Sequence, residues 1–188
     1  ATYYCVVKTS RLTSLLGTEL PVIQAPMAGA QGSALAGAVS GAGGLGSLPA
    51  AMLTPDRLRD EIAAITAGTS KPYNVNFFCH RPPVRDERRE ASWREMLAPY
   101  YRELDIDPRS LPTGPARAPF DHDAADALAP FKPPVVSFHF GLPSKDLLAR
   151  VRVWKPAIIS SATTVDEARW LEAQGVDAIV AQGLEAGG

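Results

Sequence analysis

A chain of 188 residues, 46% hydrophobic and 21% charged, is long enough for one substantial core and has none of the compositional marks of disorder. Nineteen basic against twenty acidic side chains leave a formal charge of -1, which excludes the electrostatic footprint of a nucleic-acid or anionic-membrane binder and points to small-molecule partners. Two cysteines, Cys5 and Cys79, cannot build a disulfide framework and lack metal-ligand spacing, in keeping with a reducing, cytoplasmic setting.

The run Tyr3 to Val7 is apolar but lacks the basic leader and small-residue cleavage site of a signal peptide. From Leu20 to Pro55 no side chain is charged, yet seven glycines and Pro21, Pro26 and Pro49 divide the stretch into pieces too short to cross a bilayer as one helix. It reads instead as strand, packed helix and strand. Six short apolar runs are candidate strands: Val22 to Ala25, Gly44 to Ser47, Tyr73 to Phe78, Val135 to Phe140, Ala157 to Ser160 and Ala178 to Ala181. Helical patterns fall at Ser33 to Ser40, Pro55 to Ala67, Lys145 to Val153 and Val165 to Gln174.

These helices have readable ends. Thr54 caps a helix with Pro55 at its first position, where a missing N–H costs nothing, and Leu58, Ile62 and Ile65 share one side. Thr164 and Glu167 have capping-box spacing, and Gly175 stands where a left-handed residue ends the helix. Ala168, Leu171 and Trp170 are expected to face the sheet. Alternation of nearly continuous apolar strands with helices predicts an α/β fold with a parallel sheet covered by helices. Strand starts near 135, 157 and 178 repeat at barrel-like intervals, whereas residues 80–132 interrupt the series after the third strand. That segment is expected to be an insertion over the mouth, with a helix capped near Ser92.

Val135, Ser137 and His139 share one face of the fourth run, with the histidine at its carboxyl end. In a parallel α/β sheet that end is the functional rim, so His139 is placed either as a catalytic imidazole or as a packed rim histidine. Met27, after Gln24-Ala25-Pro26, reads as a seat for a flat cofactor or as a core methionine closing a strand. Asn74 and Asn76 share a face of the third run, where an apolar interior penalises amides unless they are hydrogen-bonded; Asn76, nearer the rim, is the better ligand contact. His80 has the same phase but is expected to turn into the insertion, and His122 to lie on the surface. The glycine-bearing loop Gln182 to Gly188 can approach a ligand through backbone N–H groups, although it lacks dinucleotide-loop spacing.

Taken together, Gln24-Ala-Pro-Met-Ala-Gly29, Asn74-Val-Asn-Phe-Phe78, Ser137-Phe-His-Phe-Gly-Leu-Pro143 and Gln182-Gly-Leu-Glu-Ala-Gly-Gly188 resemble the nitronate monooxygenases, formerly called 2-nitropropane dioxygenases. The resemblance runs from Arg11 through the insertion with Trp93 and Tyr100-Tyr101. It implies a TIM (β/α)8-type barrel binding FMN, with Met27 against the flavin, Asn76 and Gln182 hydrogen-bonding it, and Gly183 and Gly187 beside it. His139 matches the active-site histidine. The implied reaction is oxidation of an alkyl nitronate through one-electron transfer, then reaction with O2 to a carbonyl compound and nitrite or nitrate. About six βα units are present where the family barrel has eight, so residues 1–188 are expected to be the amino-terminal part of an FMN-binding barrel, completed by a carboxyl-terminal segment or another copy. The competing expectations are a flavin-dependent NADH:quinone or enoyl-thioester reductase and a non-catalytic truncated barrel.

Overall fold

The computed structural model describes residues 10–82, 84, 86–110 and 117–186, which fall in two compact units: one of the described residues up to 80 and from 117 on, the other of those between 81 and 110. In the first unit five strands form a parallel sheet in sequential order: β1 (Gly46–Pro49), β2 (Tyr73–Phe78), β3 (Val135–His139), β4 (Ala157–Ala162) and β5 (Ala178–Ala181). Each strand lies beside its predecessor. Right-handed crossovers that always step in the same direction leave their helices on one face, which is barrel topology rather than doubly wound topology.

The expected first strand shrinks to a single parallel bridge, Ile23 to Leu45. Pro21 and Pro26 flank it and cannot donate to a ladder, so only Leu45 N–H to Val22 carbonyl and Gln24 N–H to Leu45 carbonyl, each 2.9 Å, extend the pairing. The expected second strand begins two residues later than its apolar run, at Gly46. There α2 (Ser33–Gly41) packs so closely on β1 that a Cβ at Gly46 would lie 1.8 Å from the Ala36 carbonyl oxygen.

Helix α3 (Pro55–Gly68) is capped by Thr54, whose Oγ1 accepts the Arg57 N–H, and buries Leu58, Ile62 and Ile65 against the sheet. Helix α7 (Val165–Ala173) has the full Thr164–Glu167 capping box. It buries Leu171 but leaves Trp170 47% exposed, so the indole does not face the sheet as its spacing suggested. Between them in sequence lie α5 (His122–Leu128), capped by Asp121, and α6 (Lys145–Arg152). Ala125, Ala127 and Leu128 of α5, with Phe120 before it, join Val75, Phe77, Val136, Phe138 and Ile158 in the main core. Residues 117–132, read from sequence as insertion, thus contribute a layer of the first unit.

Two lysines replace glycine at left-handed turns ahead of strands: Lys132 at φ 47° and Lys155 at φ 55°, whereas Gly175 takes φ 73° at the equivalent turn before β5. Lys155→Gly is expected to raise stability by about 0.5–1 kcal/mol, because the relieved Cβ strain exceeds the added freedom of the unfolded chain. A urea melt with an unmoved or lowered midpoint would contradict it.

In the second unit α4 (Glu87–Glu103) starts five residues before the expected Ser92 cap. Asp86 takes that role by accepting the Arg89 N–H at 3.0 Å, with Glu87 and Glu90 favourably placed in the first turn. A 3-10 turn follows at Pro108–Ser110. Among the described residues no helix is long and apolar enough to cross a membrane.

Candidate functional site at the strand ends

The sheet face opposite the helices is layered along the strands. Leu16 of α1 (Arg11–Leu16), Leu45, Val135 and Ile159 make an apolar floor at the amino-terminal end. Helix α1 had no clear signal in its six residues beyond Ser10, whose reciprocal capping box with Thr13 holds it.

Above the floor lies a polar row. The Asn74 Nδ2 donates to Ser137 Oγ at 2.8 Å and to Ser47 Oγ at 3.1 Å, while Asn76 Nδ2 donates to Ser137 Oγ at 2.9 Å. All four side chains are buried. The register Asn76 to Ser137 puts them side by side, so the amides the sequence placed in an apolar interior are bonded to hydroxyls from neighbouring strands. Gln24 extends the row to the sheet edge: its Oε1 accepts the Ser47 N–H at 3.1 Å and its Nε2 donates to the Ser47 carbonyl at 3.3 Å. Ser137→Ala would strip Asn76 and Asn74 of a shared acceptor in a buried site. A stability loss of about 2 kcal/mol in urea, with unchanged m-value, is the expected result.

The carboxyl-terminal rim is aromatic. His139 pairs in register with Phe78, and its Nδ1 is hydrogen-bonded to Ser161 Oγ on the adjacent strand β4. That bond holds the ring plane, with the hydroxyl able to donate to or accept from Nδ1 according to the tautomer, and leaves Nε2 as the ring's other polar atom. Partial burial pushes the His139 pKa below the ordinary histidine value, which favours the neutral ring. The Phe140 ring centroid lies 3.9 Å from that of His139 and 5.1 Å from that of Phe78. His80 does not turn away with the insertion: its ring sits 6.1 Å from Phe78 and 6.2 Å from Phe140, with Nδ1 buried and unpartnered among the described residues. Cys79, whose N–H donates to the His139 carbonyl at 2.8 Å, has its thiol pushed up to about 12 by burial, which keeps it protonated and unreactive.

The remaining predicted site residues lie on loops after the strands. Met27 is 51% exposed beyond the Ile23 bridge, in a segment tied down by Gln31 Nε2 donating to the Ala25 carbonyl at 2.9 Å. The Gln182 N–H donates to the Ala162 carbonyl at 2.9 Å, one residue beyond the Ser161 that holds His139, and its side chain is half-buried. Gly183 opens the short 3-10 turn Leu184–Ala186; Gly187 lies outside the described residues. A surface concavity flanked by Val84, Arg88, Trp93 and Met96 belongs to the second unit and includes none of these strand-end residues. Sequence reasoning missed Ser161 and Phe140. Ser161 had a signal in principle, since it shares the strand phase of inward Ile159, but a lone serine carries no weight until the neighbouring histidine is known.

The family model for nitronate monooxygenase matches residues 9–188, nearly the whole chain. The chain belongs to the nitronate monooxygenase family. A nitronate monooxygenase of Paraburkholderia phytofirmans is 47% identical over 94% of this chain and 49% of its own length, and one of Pseudomonas aeruginosa is 41% identical over 96% and 52%. The chain thus spans about half the length of these curated relatives. Among solved structures, a nitroalkane oxidase from Streptomyces ansochromogenes superposes with a TM-score of 0.78 at 36% identity, covering 94% of this chain and 49% of that one. FabK from Thermotoga maritima superposes with 0.65 at 28% identity, over 94% and 45%. The sequential parallel sheet seen here thus superposes on about half of a nitroalkane oxidase barrel.

Proposed function

We propose that this chain forms the flavin-ring side of an FMN-dependent enzyme that oxidises alkyl nitronates with O2 to a carbonyl compound and nitrite or nitrate. The observation that carries this reading is His139 at the carboxyl end of β3, its Nδ1 bonded to Ser161 and its Nε2 left for a ligand, one step along the sheet face from the Asn76 amide.

The residues present fit a planar ring with polar edges. Asn76 engages Ser137 through Nδ2, and no described residue takes its Oδ1, so an acceptor remains for a flavin N–H. Buried Gln31 Oε1 is likewise unpartnered among the described residues, and Met27 offers an exposed, polarizable thioether on the same loop. Gln182, Gly183 and Gly187 would supply the opposite side. Bound FMN supplies the electron-accepting chemistry that no side chain here possesses.

The chain's own part is to hold and orient. A nitronate carries its negative charge on the nitro oxygens, and an Nε2–H of His139 would donate to one of them if Ser161 donates to Nδ1. In the other tautomer Nε2 is a base that takes the α-proton of a neutral nitroalkane, generating the nitronate in place. Phe78 and Phe140 keep water from the imidazole faces. The protonated Cys79 thiol, without a disulfide partner among the described residues, fits the cytoplasm as the working compartment.

Anaerobic mixing of the FMN-loaded protein with propionate 3-nitronate tests this reading. Loss of the oxidised flavin absorbance, restored on admitting air with release of nitrite, is expected. Rapid bleaching by NADH instead would move the assignment to a flavin-dependent quinone or enoyl-thioester reductase. A protein that retains no yellow chromophore after reconstitution and consumes no oxygen with nitronate would be a non-catalytic barrel fragment.

A further inference from the structure

Strand β3 ends in two consecutive left-handed residues, Phe140 at φ 66° and Gly141 at φ 93°. For glycine this is ordinary; for a bulky aromatic residue it is an outlier that persists only where surrounding bonds over-determine the backbone. Those bonds are present. The buried Ser160 hydroxyl lies 3.1 Å from the Phe138 carbonyl and 3.2 Å from the Gly141 carbonyl, sharing its proton between the two, and the Cys79 N–H holds the intervening His139 carbonyl at 2.8 Å. The turn is clamped on both sides of Phe140.

Strain of this kind is usually offset by burial, but Phe140 remains 56% exposed. Its ring reaches the His139 imidazole at 3.9 Å and meets Phe78 edge-on at 5.1 Å, so the backbone distortion delivers an apolar surface to the rim rather than to the core. Glycine or asparagine would occupy the position with less strain. The side chain, not the turn, is what the position requires.

We propose that Phe140 is the specificity-determining residue of this site: its ring, with Phe78, is the seat for the hydrocarbon chain of an alkyl nitronate whose charged head meets His139. The assignment rests on the nitronate reading above and adds to it the part of the substrate that is selected. An apolar seat beside a single polar head group favours unbranched chains, each further methylene covering more ring.

The test compares kcat/KM for ethyl, propyl, butyl and pentyl nitronates on the FMN-loaded protein with the Phe140→Gly, Phe140→Asn and Phe140→Leu variants. Wild type is expected to gain about two- to fourfold per methylene, the range for partial to full burial of that group. The Gly and Asn variants lose that gain without a fall in Tm, since both accept the left-handed backbone, and Leu restores most of it. A merely structural role would lower Tm and leave the chain-length series parallel to wild type, and that outcome overturns the proposal. Wild-type turnover that is independent of chain length sinks the seat alone; absence of turnover on every nitronate sinks the functional reading and the seat with it. A readout independent of activity is the NMR titration of the His139 imidazole in flavin-free protein. Its midpoint should rise toward the ordinary histidine value in Phe140→Gly; an unmoved midpoint would show that the ring does not cover the imidazole and would also overturn the assignment.

Discussion

His139→Asn is expected to lower kcat/KM on neutral nitroalkanes by about 100- to 10,000-fold, the range for losing a positioned acid–base group, while FMN is retained. Retention follows from the geometry: the proposed flavin contacts Asn76, Gln31 and Gln182 are bonded to Ser137, Ala25 and Ala162, not to the imidazole. Asparagine preserves size and some hydrogen bonding to Ser161 but cannot exchange a proton near neutral pH. The pH profile adds a second criterion. Burial depresses the His139 pKa below the ordinary histidine value, which favours the basic form at neutrality and moves its loss to lower pH. Activity on neutral nitroalkanes should therefore rise with pH on the acid side of 6.5 and level off above it, and the Asn variant should show no such limb. The same shift makes this histidine a stabilising group above its unfolded pKa whose contribution disappears in acid, because the unfolded chain then binds the extra proton. Unchanged turnover in the variant would remove the assigned role from His139.

Gly46→Ala is expected to cost about 3 kcal/mol, at the upper end for overpacking a well-filled core. The added methyl would lie 1.8 Å from the Ala36 carbonyl oxygen, 2.6 Å from its carbon and 2.8 Å from Ser40 Oγ. None of these is the far end of a flexible side chain: the carbonyl is part of the α2 backbone, and Ser40 Oγ is occupied by the Gly46 N–H at 3.1 Å. Relief requires α2 and β1 to separate. That movement would also carry Ser47 away from Asn74, so the damage reaches the polar row beneath the proposed flavin position. Urea denaturation measures the loss, and FMN affinity should fall in parallel. A midpoint equal to wild type would mean that the helix can retreat without disturbing the sheet.

How far such features could be read in advance depended on their range. Helices α3 and α7 fall within one residue of their expected spans, because Thr54, Pro55, Thr164 and Glu167 act on backbone groups three residues away. Strand Tyr73–Phe78 was equally plain, since a run of alternating phase buried on both faces leaves few alternatives. Val22 to Ala25 misled because its apolar content outweighed the two flanking prolines, which restrict it to one bridge. Ser92 misled for a different reason: it matches a cap motif, but Asp86 lies upstream with its own acidic first turn, and a helix already running does not need a second start.

The candidate site divides along the same line. Side-chain alternation and family motifs singled out His139 and Asn76, and the structure puts both on the unhelical face of adjacent strands. Neither could reveal that Asn74 and Asn76 share the Ser137 hydroxyl, that Ser161 holds the imidazole, or that His80 stays within the aromatic rim. Trp170 likewise had the right period for the sheet and the wrong angle.

What the sequence by itself determined was the alternation of strand and helix, the caps, and the face on which each strand residue falls, because these arise from steric and hydrogen-bonding preferences acting over a few neighbouring residues. Only the tertiary structure decided which hydroxyl meets which amide, how closely α2 approaches β1, and that Phe140 is forced into a left-handed turn over His139. Those outcomes depend on strand register and on bonds between residues far apart in the chain, such as Ser160 to Phe138, 22 positions apart, and Asn76 to Ser137, 61 apart, and no local preference encodes them.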